Sequence, residues 1–327
     1  MKVALLHTSE AAEPPEDPVL AQLEEALGRA GHAARRVPVA GEVEEVAAAL
    51  RDAAPELVVN VAESFGGKSA LESNVAALLN LLGLRYTGSS PAGLLLAGDK
   101  TLAKEILSFH GIQTPRFASV FRGALEATQE LSFPLIVKPP QEDASIGVTA
   151  KSVVRDIAEL LERMDLVQRE YRQPALLEQY VDGREFYVGV LGNADAAALP
   201  IIELDFSGFP EGKPRIASWE AKWGEDGSGA GAEYAGTKSV IAEGLDEALA
   251  ARMREVAVEA FHALRLRDYG RIDLRVTEAG EIYVIEVNPN CYLERSGEFA
   301  RAAQAAGLEY DALIARIVEL AAARYAR

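Results

Sequence analysis

Three consecutive pieces of sequence decide the fold: Arg271-Ile272-Asp273-Leu274-Arg275-Val276, then Glu278-Ala279-Gly280-Glu281, then Tyr283-Val284-Ile285-Glu286-Val287-Asn288. Two apolar, β-branched runs around an Ala-Gly dipeptide predict a β-hairpin. A two-residue turn at Ala279-Gly280 sets Asp273 opposite Glu286 and Arg271 opposite Asn288. Side chains alternate along a strand, so these four polar residues share one face. Ile272, Leu274, Val276, Tyr283, Ile285 and Val287 fall on the other face and can pack on a core. The reading depends on register, because a slip of one residue exchanges the two faces.

Two carboxylates placed directly opposite each other repel unless something cationic lies between them. A Mg²⁺ ion, or a pair of them, meets that need, since Mg²⁺ takes oxygen ligands from a few protein groups and from substrate phosphates. Asn288 adds a neutral oxygen. Arg271 adds a fixed positive charge suited to a developing oxyanion. The plainer alternative is a solvated hairpin face with Arg271 paired to an acid. Four polar groups backed by an unbroken apolar face favour the functional reading.

Outward from the hairpin, cations come next. Leu135-Ile136-Val137-Lys138 ends a buried-type strand in a lysine that either snorkels to solvent or meets an anion. Residues 141–148 read as a turn that can close over phosphates, leading into a strand at 145–153. Lys100 begins a helix at 99–110, where backbone N–H groups favour anions. Lys222 lies in a loop at 207–240 rich in Gly, Pro and charge. Singly, each lysine reads as a surface residue. Glu178 and Glu185 are ambiguous in the same way, each able to accept from a ribose hydroxyl or an adenine amine.

Further upstream, strands at 3–7, 33–37 and 57–61 alternate with helices at about 17–30, 43–53 and 71–82. That order predicts right-handed βαβ units and a parallel sheet over roughly residues 1–95. After residue 133 strands dominate (135–138, 175–178, 186–191, 197–204), with helices at 156–170, 245–264, 298–306 and 310–325.

The 327 residues carry 33 Lys+Arg against 50 Asp+Glu, a net charge of −17. Such an excess of acid works against binding nucleic acid and against docking on anionic membranes. An anionic ligand then requires the few cations to be gathered in one place. Cys291 is the single cysteine, so no internal disulfide forms, and the four histidines have no metal-ligand spacing. No secretory segment or membrane-length apolar run is present, so a soluble, cytoplasmic protein is expected. Gly66-Gly67-Lys68-Ser69 lacks the first glycine of a phosphate-binding P-loop, with Ala62 in its place. No GxGxxG follows the first strand.

Taken in order, Tyr86-Thr87-Gly88-Ser89, Asp99-Lys100 with Lys104, Ile136-Val137-Lys138-Pro139, Glu178 through Glu185, Glu220-Ala221-Lys222, Gly270-Arg271-Ile272-Asp273 and Glu286-Val287-Asn288 resemble the ATP-grasp superfamily. Within it the chain most resembles the D-alanine–D-alanine ligase branch, over nearly its whole length. The resemblance implies an α/β chain with an ATP-grasp fold. A parallel-sheet, pre-ATP-grasp domain (1–95) is followed by two α+β subdomains, a central lid (96–181) and a C-terminal catalytic unit (182–327).

By position, the resemblance implies that Lys100, Lys138, Ser145 and Lys222 meet ATP phosphates. Glu178, Tyr180 and Val181 would line the adenine site, and Glu185 would bind ribose. Asp273, Glu286 and Asn288 would hold two Mg²⁺ ions, with Mn²⁺ as a substitute. Arg271 and Lys222 would be the catalytic cations. A carboxylate would attack the γ-phosphorus to give an acyl phosphate and ADP, and an amine would then displace phosphate.

Departures from the family pattern gather where the amino-acid substrates are read. The flap Glu-Gly-Ser-Ser becomes Glu142-Asp143-Ala144-Ser145, and Glu-Ala-Lys-Tyr becomes Glu220-Ala221-Lys222-Trp223. The family's His-Gly appears as Asn60-Val61-Ala62-Glu63, and its small Ser-rich loop as Pro289 through Ser296. Glu63, Trp223, Tyr292 and Ser296 are therefore the candidate substrate residues. The function implied is a ligase joining amino acids or a small peptide, with specificity altered from D-alanine. A true D-alanine–D-alanine ligase of peptidoglycan synthesis and a non-catalytic ATP-binding protein are the alternatives. A homodimer is implied by the resemblance alone.

Overall fold

In the computed structural model, residues 1–9, 17–121, 131–142, 145–209, 212–219 and 236–326 are described. At the N-terminus β1 (Lys2–Thr8) runs parallel to both β2 (Ala33–Val39) and β3 (Leu57–Val61), giving the order β2-β1-β3. Parallel strands need crossovers, and two helices supply them: α1 (Pro18–Arg29) and α2 (Val43–Ala53). Asp17 caps α1 through the Val19 amide, and Pro18 sits in the first turn where its missing N–H costs nothing. Then come α3 (Glu72–Leu81), α4 (Pro91–Gly98) and α5 (Lys100–Phe109). Helix α4 is not apparent in the sequence, although Ser90 caps it and Pro91 opens it, because Gly93 and Gly98 weaken its helical pattern.

Among the described residues the second sheet is antiparallel. It is built from β4 (Phe117–Val120), β5 (Leu135–Lys138), β6 (Val153–Val154) and β7 (Ala175–Gln179), in the order β4-β7-β5-β6. Helix α6 (Ile157–Glu170) covers it, burying Leu160, Met164 and Val167 against Val120, Val137 and Leu177. The strand expected at 145–153 does not form. Ser145 and Gly147 have φ of 63° and 73°, a 3₁₀ turn occupies Ala150–Ser152, and only Val153 and Val154 pair.

The third sheet holds β8 (Arg184–Gly192), β9 (Ala197–Ala198), β10 (Ile202–Asp205), β11 (Lys238–Ile241), β12 (Asp268–Val276) and β13 (Ile282–Asn288). Its order is β11-β10-β8-β12-β13, with β9 beside β8. The end of the loop expected at 207–240 is thus the strand β11, paired to β10. Helix α7 (Glu247–Ala263) packs Met253, Ala257 and Phe261 into one core with Val188, Ile272, Leu274 and Val284. The chain closes with α8 (Glu298–Ala305) and α9 (Tyr310–Arg324), whose Leu313 and Ile317 share a core with Leu23 and Leu27 of α1.

The hairpin has the expected pairing at its functional end: Arg271 opposite Asn288, and Asp273 opposite Glu286. Two deviations cancel to produce it. The turn has three residues rather than two, closed by Thr277 N–H to Glu281 O, with Gly280 at φ 80°. This displaces the outer pairs by one residue, so Leu274 faces Val284 and Val276 faces Ile282. A β-bulge then restores the inner register, with Ile285 as the extra residue. Consequently Ile282 and Val284, not Tyr283 and Ile285, take the core positions on β13.

One buried cluster fixes where β12 begins. Asp268 is fully buried and accepts from Gly88 N (2.8 Å) and Asn193 Nδ2 (3.0 Å). Arg324 of α9 grips the same carboxylate through Nε (2.8 Å) and Nη2 (2.7 Å), and its Nη2 also donates to Tyr86 O. The crossover out of the first sheet, the start of β12 and the last helix are therefore tied at one point.

Candidate active site

The inner face of the third sheet is polar because its register makes it so. Asp273 pairs with Tyr187 of β8 on one side and Glu286 of β13 on the other, while Arg275 pairs with Glu185. Glu185, Tyr187, Arg271, Asp273, Arg275, Glu286 and Asn288 form this face. The second sheet contributes Lys138 from the end of β5 and Glu178 from β7. Between the two sheets lies an open cleft lined by Lys100, Lys138, Ser145, Glu178, Asp273 and Glu286 among others. Tyr180, Val181, Ile136 and Val148 supply apolar or aromatic walls, and Glu185 lies at the same cleft.

Asp273, Glu286, Glu185 and Glu178 at this cleft each meet a cation. Arg271 binds Asp273 in a two-pronged pair, Nε to Oδ1 at 2.8 Å and Nη2 to Oδ2 at 3.0 Å. Its guanidinium also lies over the Tyr187 ring, 4.7 Å from the centroid, and 3.5 Å from Glu298. Lys100 Nζ lies 2.8 Å from Glu286 and donates to Glu142 O at 2.6 Å. Arg275 Nη2 meets Glu185 at 2.7 Å, and Tyr187 OH donates to the same carboxylate at 2.9 Å.

Glu178 is fully buried between two ammonium groups, Lys138 at 3.0 Å and Lys104 at 3.2 Å. Burial pushes its carboxyl up, but the two lysines more than offset this and hold it below the usual range. Lys104 feels the opposite balance. Burial pulls its pKa down to about 8, against the attraction of Glu178 and with the repulsion of Lys138. Two cations on one carboxylate make this wall of the cleft favourable for an anion.

The structure thus gathers Lys100, Lys138, Ser145, Glu178, Tyr180, Val181, Glu185, Asp273 and Glu286 at one cleft, with Arg271 and Asn288 beside Asp273 on the same face. Ser145 donates to Ala217 O at 2.6 Å. Three of the four substrate candidates lie elsewhere. Tyr292 is partly exposed and donates to Asp17 at 2.7 Å, Ser296 donates to Glu294, and Glu63 is exposed on the loop after β3. Asn290 ties their two loops together, donating to Ala62 O and Glu72. Lys222 and Trp223 fall outside the described residues, as do Asp143 and Ala144 of the flap. Lys104 was not singled out as a site residue. Its sequence signal was a second lysine one turn after Lys100, on the face that buries Ala103 and Leu107.

The oxygen set fits a hard divalent cation. Among the described residues no group of three or more His, Cys, Asp or Glu is suited to a metal. Asp273, Glu286 and Asn288 offer two carboxylates and one amide. Asn288 directs its NH₂ to Arg271 O (3.5 Å), which leaves the amide oxygen as its donor atom for a metal. So few protein ligands suit Mg²⁺, which completes its shell with water and phosphate oxygens. Among the described residues no helix is long and apolar enough to cross a membrane.

A parallel sheet followed by two antiparallel sheets with a cation-walled cleft between them defines the ATP-grasp class. A family model described as "D-ala D-ala ligase C-terminus" matches residues 106–319. The D-alanine–D-alanine ligase of Pelotomaculum thermopropionicum is 30% identical over 266 residues, covering 78% of this chain and 77% of that protein. An uncharacterized protein of Sinorhizobium fredii, y4sG, is 35% identical over 269 residues, 82% of this chain and 75% of that one. The crystal structure of the Bacillus anthracis D-alanine–D-alanine ligase complexed with ATP superposes with a TM-score of 0.76 at 23% identity, covering 98% and 97% of the two chains, which shows a shared fold. The chain belongs to the D-alanine–D-alanine ligase family and is an ATP-dependent ligase that forms an amide bond.

Proposed function

We propose that the cleft binds MgATP and that the protein joins the carboxylate of one amino acid or small peptide to the amine of another through an acyl phosphate, with specificity altered from D-alanine. The observation that carries this reading is the opposed pair Asp273 and Glu286, held by Arg271 and Lys100, facing Lys138 across one cleft. Lys100 and Lys138, with Lys222, hold the phosphates. Tyr180 and Val181 flank the base, and Glu185 accepts from the ribose. Bound at Asp273, Glu286 and Asn288, Mg²⁺ supplies charge neutralisation for the phosphates. Arg271, partly buried and fixed by Asp273, stabilises the oxyanion that forms when the amine adds.

The same reading divides the chain at 95/96 and 181/182, so that the cleft falls between the second and third units. Altered specificity is supported by the residues that replace the family's flap and substrate motifs. ADP release measured across a panel of amino acids and dipeptides tests the reading, with Asp273→Asn as control. Activity with some pair, absent in the variant, supports it. Unchanged activity in the variant removes the metal assignment. Efficient D-alanyl-D-alanine formation removes the altered specificity.

A further inference from the structure

Lys104 belongs to no step above, yet its surroundings are unusual. It projects from α5 and is 2% exposed. An ammonium that far from water is costly unless its partners repay the desolvation. Its partners come from two different sheets. One is Glu178 Oε1 of β7 at 3.2 Å, and the other is the carbonyl oxygen of Ile285 in β13 at 3.5 Å.

Ile285 is the bulge residue, the one that returns Glu286 to its place opposite Asp273. A bulged residue is left out of the strand ladder and needs other support. Among the described residues β13 is an edge strand, and its outer side is covered by α5 and the segment after it, where Val284 N donates to Gln113 O at 2.9 Å. At its other end, Lys104 shares Glu178 with Lys138. One ammonium therefore reaches the strand that presents Glu286 and the carboxylate that holds Lys138.

We propose that Lys104 is a positioning residue. It anchors the Ile285 bulge, and hence Glu286, to Glu178, and hence Lys138, across the two sheets, without touching the nucleotide. The inference rests on the reading of the cleft as a MgATP site. Losing Lys104 would leave Glu178 to Lys138 alone, drawing that lysine into an ordinary one-to-one pair. It would also withdraw the side-chain donor from the bulge carbonyl. Both changes reach the nucleotide and the metal, not the fold alone.

The test is ATP binding by calorimetry on the full chain at several fixed Mg²⁺ concentrations, for wild type, Lys104→Met, Glu178→Gln and the double variant. Outer partners of a metal site typically contribute about 10- to 100-fold in affinity. Lys104→Met is expected to weaken ATP by about that factor and to raise the Mg²⁺ needed for half-maximal binding. The double variant is expected to be no weaker than the worse single one, because both break one bridge. Lys104→Gln serves if the methionine variant does not fold.

Wild-type ATP affinity and Mg²⁺ dependence in both Lys104 variants would overturn the inference while leaving the site reading intact. So would a lowered melting temperature with no change in either binding measure, or fully additive losses in the double variant. A wild-type protein that binds no ATP would overturn the site reading itself, and the inference with it.

Discussion

Arg324→Met probes the clasp that fixes the start of β12. Asp268 is fully buried, and Arg324 supplies two of its four hydrogen bonds, at 2.8 and 2.7 Å. Removing one partner of a buried pair leaves an uncompensated charge and costs about 3–5 kcal/mol. Asp268 keeps the Gly88 amide and the Asn193 amide group, which places the cost near the lower end, at about 3 kcal/mol. If the 327 residues unfold together, an unfolding entropy of about 2.1 cal/mol/K per residue sums to about 0.7 kcal/mol/K, so the midpoint should fall by about 4 °C. Scanning calorimetry reads both the shift and the cooperativity. Adding Asp268→Asn to Arg324→Met removes the stranded charge and should recover at least half of the loss. A single variant melting within about 1 °C of wild type, or a double variant less stable than the single, would show that the clasp does not hold β12 in place.

Three further predictions concern other sites. Glu178 is held below its ordinary value, so its contribution to stability is complete above about pH 4.5 and is lost as pH falls through the lowered value. Urea midpoints of Glu178→Gln should accordingly change less than wild type below about pH 4.5. Burial pushes the Cys291 thiol up to about 12, so a thiol reagent at pH 8 should label it only after denaturation. Gly280 has φ 80° with open space around it, so Gly280→Ala should cost about 1 kcal/mol through backbone strain in chemical denaturation, and leave ATP affinity unchanged.

Much of this architecture is legible in the sequence because the signals are local. Asp17-Pro18 and Gly31 bracket α1, and β3 and β5 appear where short apolar runs predict them. What escaped depends on contacts distant in sequence. The bulge at Ile285 leaves no local mark, since it is supported by Lys104, 181 residues away. The expected pairing at Arg271 and Asp273 forms because a longer turn and that bulge compensate, not through a two-residue turn. The segment at 145–153 has the composition of a strand, but the positive φ at Ser145 and Gly147 turns it away after which only two residues pair. Glu178 is ambiguous in the sequence alone, and packing shows two lysines against it at the wall of the cleft. Tyr292 and Glu63, candidates from two separate stretches of sequence, lie on loops that Asn290 joins outside the lining of the cleft.

Acyl-phosphate chemistry at the Asp273/Glu286 cleft leaves an isotopic signature. A carboxylate substrate labelled with ¹⁸O, incubated with ATP, Mg²⁺ and an accepted amine, tests it by mass analysis of the released phosphate. Transfer of one ¹⁸O into phosphate for each amide formed, absent in Asp273→Asn, is the predicted result. Amide formation with unlabelled phosphate would exclude an acyl phosphate at this cleft.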